Sequence, residues 1–98
     1  MIIITGSAVF LPAHFAEALA LGVEHSARSR GEPGCIAHNC HVDAEDPNRI
    51  GFVEEWAEWA AVKAHFAVPA SGEFVRNLGT MAVGKPEMNI FEATQARR

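Results

Sequence analysis

From Glu32 to His65 the chain spells a strand, a tight turn, a second strand and a helix, with no room for a linker between them. Glu32-Pro33-Gly34-Cys35 turns the chain into the first of these strands, Cys35 to Asp43. Asp46-Pro47-Asn48 supplies the turn, because Pro presets φ and the Asp and Asn side chains can bond neighbouring backbone. Ile50 to Trp56 returns as the second strand, ending in Glu54-Glu55-Trp56. Alternation places Phe52, Glu54 and Trp56 on one face and Gly51, Val53 and Glu55 on the other. The chain then enters a short helix, Ala57 to Phe66, carrying Ala61, Val62, Ala64 and His65, and Val68-Pro69 breaks it. A lone hairpin is marginal in water, so the rest of the chain must cover this unit.

The flanking segments can do so. Met1 to Phe10 is rich in β-branched and apolar residues and reads as the first strand. Pro12 suits the first turn of a helix running from Ala13 to about Arg30. Phe15, Leu19 and Val23 recur at four and, widened by Ala16, Ala20 and Ala27, form its expected buried stripe. Glu17, Glu24, His25 and Arg28 fall on the other side, so His14 and His25 are expected to be exposed. Ser71 to Leu78 reads as a second helical piece, burying Phe74, Val75 and Leu78. Gly79 to Pro86 reads as a loop and Met88 to Ala93 as the last strand. The order β-α-β-β-(αα)-β is an α+β, ferredoxin-like arrangement with helices on one face of an antiparallel sheet. Residues 1–98 are expected to form a single domain.

Charge and hydropathy exclude several roles. Eight basic against twelve acidic side chains give a net charge of −4, and no Lys/Arg cluster stands out, which argues against nucleic-acid binding. The apolar runs fall far short of the ~20 residues of a membrane helix. Met1-Ile2-Ile3-Ile4 follows no positive segment and precedes no cleavage site, so it reads as a strand and the protein is expected to be cytoplasmic. A chain of this size buries a modest share of its surface alone, which makes self-association a natural way to bury more.

The run Cys35-x-x-His38-x-Cys40-His41 invites a metal reading, but strand alternation opposes it. Cys35, Asn39 and His41 are expected on one face and His38 and Cys40 on the other, so four ligands cannot converge. The same reasoning puts Cys35 and Cys40 on opposite faces, about 16 Å apart at ~3.3 Å per residue, as free thiols. No phosphate loop and no nucleophile elbow is present. No metal is expected.

The Gly-Cys strand start, the Asp-Pro turn, Glu54-x-Trp56 and His65 nine residues beyond that Trp resemble the antibiotic biosynthesis monooxygenase family, which includes quinol and anthrone monooxygenases. The resemblance covers nearly the whole chain. It implies a homodimer in which two sheets pair into a dimeric α/β barrel, and a pocket between sheet and helices inside each subunit. It further implies a cofactor-independent oxidation, by O2, of a small electron-rich aromatic such as a quinol, anthrone or naphthol.

The candidate site follows from both lines of reasoning. His65 stands where the family usually has His, and a neutral imidazole there can take a phenolic proton or hydrogen-bond to the substrate. It would serve equally to tether the Val68-Pro69 loop. His38 stands where the family often has Tyr and is the expected assisting residue, with packing at the sheet edge as its structural alternative. Glu54 and Trp56 are neighbours on one strand face. Trp56 suits a planar ligand or a core, and a half-buried Glu54 needs a partner. Phe52, Trp56, Phe66 and Phe74 are candidate apolar walls. The family's second His, shortly after the first, is Ala70 here, following Pro69. Haem-degrading relatives carry an Asn on the first strand, a Trp near the place of His65 and a later His. This chain has none of these, which disfavours that activity. The rival readings are an isomerase acting on a small carbonyl compound through the same His, and a non-catalytic dimeric binding or stress module.

Overall fold

The computed structural model describes residues 1–97. The elements follow in the order β1 (Ile2–Phe10), α1 (Pro12–Ser29), β2 (Cys35–Val42), β3 (Arg49–Trp56), α2 (Trp59–Ala67), α3 (Pro69–Met81) and β4 (Ala82–Glu92). The strands form one four-stranded sheet in the order β2-β3-β1-β4, and each pairing is antiparallel. This is the expected α+β, ferredoxin-like arrangement. The β2–β3 turn is held as the sequence suggests: Asp46 Oδ1 accepts from the Asn48 amide at 3.0 Å and Asp43 Oδ1 from the Glu45 amide at 2.8 Å.

Alternation along the central strands builds the core. Ile2, Ile4, Ala8 and Phe10 of β1, with Ile50, Phe52, Glu54 and Trp56 of β3, are buried on one face. Two apolar clusters result. Phe10, Ile50, Phe52, Leu78 and Met81 centre one, and Ile2, Ile4, Trp56, Ala61 and Val62 the other. Between them along β3 stands Glu54, which breaks the core with a charge.

Val75 of α3, expected to be buried, is 59% exposed, and three larger expectations are corrected. The buried face of α1 is not the stripe of Phe15, Leu19 and Val23 but Ala18, Gly22, His25, Ser26 and Ser29. Val23 is exposed, and Phe15 and Leu19 only flank the core. The cause is close approach: a Cβ on Gly22 would lie 2.9 Å from Cys40 Sγ and 3.0 Å from Phe52 Cζ. Small residues let α1 settle onto the sheet, and a search for large apolar residues misses such a face.

The segment from Gly79 to Pro86 is not a loop, because α3 runs directly into β4. Between Ser7 and Val9, two steps on β1, β4 advances four, from Glu87 to Val83. The excess is taken up around Gly84, whose φ of 74° suits glycine. Pro86 lies in this irregular stretch of an edge strand, where no ladder donor is required.

The third correction concerns β2. Cys35 pairs with Trp56 and Ala37 with Glu55, so Ile36 is an extra residue bulged from the ladder. Cys35 therefore shares the helix-facing side with His38 and Cys40 and packs against the Trp56 cluster. Both thiols are free, and burial raises the pKa of each above the ordinary thiol value.

Candidate functional site

Glu54 is the centre of a polar group held between sheet and helices. It lies directly opposite His38 in the β2–β3 register. Its Oε1 accepts the Trp56 indole N–H at 2.9 Å and stands 3.4 Å from His38 Nε2 and 3.8 Å from His65 Nε2. Burial by itself would raise the Glu54 carboxyl, but the His38 imidazole, the Trp56 N–H and His65 outweigh it and hold its pKa below the usual carboxylate range.

His65 comes from the last turn of α2 and is 3% exposed. It does not tether the following loop through its side chain. Its Nδ1 hydrogen-bonds Glu32 Oε1 at 2.9 Å, across 33 residues of sequence. An ionised carboxylate only accepts, so this bond places a proton on Nδ1 and leaves Nε2 of the neutral ring with its lone pair. His38, fully buried, bonds Ser26 Oγ through Nδ1 at 2.8 Å. Its Nε2 has no hydrogen-bond partner among the described residues.

His25, expected on the exposed side of its helix, is 5% exposed and joins the cluster. Its ring centroid is 5.0 Å from that of His38 and 5.4 Å from that of His65, and it stacks on Phe74 at 4.0 Å. The Arg28 guanidinium donates to its Nδ1 at 2.7 Å. Burial, with the neighbouring His38 and His65 rings and Arg28, pushes its pKa down to about 3. His25 is thus neutral, with its proton on Nε2. The one signal that marks it in sequence is its place among Gly22, Ser26 and Ser29, the small-residue face of α1.

The remaining candidates divide. Trp56 is fully buried, 4.6 Å from His65 between ring centroids, and Phe52 and Phe74 meet edge to face at 5.7 Å. Phe66 is 44% exposed, which departs from the wall expected of it. A cavity of about 420 Å³ opens on the other face of the sheet between Ser7, His41, Asp43, Arg49, Glu87 and Asn89. His65, His38 and Trp56 are not among its lining residues.

What this arrangement offers chemically is a carboxylate-oriented imidazole beside a second imidazole and a second carboxylate, shielded from water. Residues 1–77 match the antibiotic biosynthesis monooxygenase family. An uncharacterized protein from Synechocystis sp. is 29% identical over 96 residues, covering 98% of this chain and 65% of that protein, so the chain spans less than two thirds of this relative. A protein from Deinococcus radiodurans, assigned to these monooxygenases, superposes with a TM-score of 0.94 at 24% identity over 100% of this chain and 97% of its own. The crystal structure of another antibiotic biosynthesis monooxygenase gives 0.87 at 25% identity over 97% and 100%. One from Nitrosomonas europaea gives 0.89 at 15% over 97% and 100%, a likeness of fold alone. No helix among the described residues is long and apolar enough to cross a membrane. With the family match running from β1 into α3, the chain belongs to the antibiotic biosynthesis monooxygenase family.

Proposed function

We propose that the protein is a cofactor-independent monooxygenase that oxidises a quinol, anthrone or similar electron-rich aromatic with O2. The observation that carries this reading is the Glu32–His65 pair, which aims the basic Nε2 of His65 at the interior beside Glu54 and His38. In this reading His65 Nε2 takes the phenolic or benzylic proton, and the substrate anion passes electrons to O2. One oxygen atom is inserted into the substrate and the other leaves as water, with the substrate supplying the electrons a flavin would otherwise provide. His38 assists at the departing proton, and its imidazole replaces the Tyr common in the family. The walls are Phe52, Trp56 and Phe74. His65 is so deeply buried that a ring substrate reaches Nε2 only when α2 or α3 shifts.

The test is O2 uptake by metal- and flavin-free protein over dihydroxynaphthalenes, anthrones and benzoquinols. Uptake above autoxidation that falls by roughly 10²–10⁴-fold in His65→Ala is expected for loss of a general base. Uptake that survives the substitution removes His65 from the reaction. No uptake across the panel sinks the reading for these substrates.

The same proposal includes a homodimer. The sheet face away from the helices exposes Val53 and Phe91. Pairing two such faces buries this surface and the cavity around Arg49. Light scattering should therefore give twice the mass of the 10.6 kDa chain, and a mass of one chain refutes the pairing.

A further inference from the structure

Three buried histidines come together from three different elements: His25 from α1, His38 from β2 and His65 from α2. One nitrogen from each ring lies within 4.8 Å of the others. An ion held tetrahedrally at ~2.1 Å from three imidazole nitrogens sets the ring centroids about 5.2 Å apart. The observed centroid separations are 5.0, 5.4 and 5.6 Å. The ring centroids therefore stand near the mutual spacing of a three-histidine centre, and the nitrogens, within 4.8 Å of one another, must close to about 3.4 Å to share one ion.

The outer contacts fit as well. Ligating histidines are held by a partner on the other ring nitrogen. Here Glu32 accepts from His65 Nδ1, and Ser26 Oγ can accept from His38 Nδ1. The Glu32 bond leaves the His65 Nε2 lone pair facing inward, and His38 Nε2 does the same in the tautomer whose Nδ1 donates to Ser26 Oγ. His38 Nε2 is fully buried, and its contact with Glu54 Oε1 is long at 3.4 Å, a weak pairing that an ion would improve on. Glu54 Oε1, 3.4 and 3.8 Å from the two Nε2 atoms, supplies compensating negative charge.

One contact opposes ligation. Arg28 donates to His25 Nδ1 and so keeps the proton on His25 Nε2. For Nε2 to ligate, that proton must move to Nδ1 or leave, and the half-buried Arg28 must swing away. Arg28 thus acts as a latch on the third ligand.

We propose that His25, His38 and His65 form a binding site for a divalent first-row transition metal such as Zn²⁺ or Co²⁺, with Glu54 beside it and Arg28 opposing its closure. Nitrogen-rich sets favour ions of this class over Mg²⁺ or Ca²⁺. The metal and the substrate proton compete for the same His65 Nε2, because a ligated Nε2 has no lone pair to offer, so only the metal-free protein can act as in the oxygenase reading. A bound ion would silence His65 as a base.

The experiment is a Co²⁺ titration of the metal-stripped full chain, followed by visible absorption. One equivalent with the intense bands of a low-coordinate nitrogen site is expected. His25→Phe, which keeps a ring stacked on Phe74, should weaken binding at least about tenfold with an unchanged far-ultraviolet circular dichroism spectrum. Arg28→Ala should tighten it. The exposed His14 and His41 serve as controls, and their replacement by Ala should leave the titration unchanged. Absence of one-equivalent binding overturns the site. So does an affinity unmoved by both His25→Phe and Arg28→Ala, or one abolished by the His14 and His41 substitutions. None of these readouts depends on oxygen uptake, so failure here leaves the oxygenase reading standing.

Discussion

Trp56→Ala lowers stability by about 3–5 kcal/mol, read as a fall in the urea midpoint at constant slope. Two losses combine. The indole is fully buried in the cluster of Ile2, Ile4, Ala61 and Val62, so truncation opens a cavity that a sheet-bound backbone cannot close. Its N–H is also the short hydrogen bond to Glu54 Oε1. Without it, the buried carboxylate keeps only the longer contacts to His38 and His65. Trp56→Phe separates the terms, since it retains most of the volume and gives up the N–H. It should cost roughly 1–3 kcal/mol, the penalty of a buried acceptor deprived of its donor. A loss under about 1 kcal/mol in Trp56→Ala would mean that the second apolar cluster contributes little to holding the helices down.

Gly34→Ala is the second large effect, at about 2–4 kcal/mol, from left-handed backbone strain and overpacking together. Gly34 sits at φ 81°, and a Cβ there would stand 2.5 Å from the Ala61 Cβ on α2. Neither atom can rotate away, because both are fixed to backbone. Gly84→Ala is the internal control: its φ is 74°, with nothing within 4 Å of the added carbon, so it carries strain without a clash. The difference between the two variants isolates the Ala61 contact. Adding Ala61→Gly to Gly34→Ala should recover the packing part, and a double-mutant cycle measures the coupling. If Gly34→Ala costs no more than Gly84→Ala, the close approach of α2 to the strand start is not rigid.

The hairpin was legible because its signals are local: a Pro-containing turn, strict alternation from Ile50 to Trp56, and a helix after it. Glu54 was legible for the same reason, as a polar residue on the face that alternation sends inward, whereas His65 was singled out by the resemblance alone. What escaped depended on contacts between distant segments. His25 is buried because Gly22 and Ser26 bring α1 against Cys40 and Phe52, and no property of His25 itself announces this. The Glu32–His65 bond joins the hairpin's lead-in to a helix 33 residues later. The continuity of α3 with β4 was hidden by Gly84 and Pro86, which mark a bulge in an edge strand as readily as a loop.

The two irregularities of the sheet differ in parity. Ile36 is one residue in excess on β2, whereas β4 takes up two against β1. An odd insertion reverses the address of every side chain on one side of it, and an even insertion leaves addresses intact while bending the strand. That is why Cys35 reaches the Trp56 cluster although three positions separate it from His38, and why Met88 keeps the same face as Ala82 across the stretch around Gly84. The β4 excess can lengthen or shorten by two without relocating any side chain between faces. Loss of the single residue at Ile36 would turn Cys35 away from Trp56 and send its neighbour Gly34, with the entire lead-in that carries Glu32, out of phase with His65.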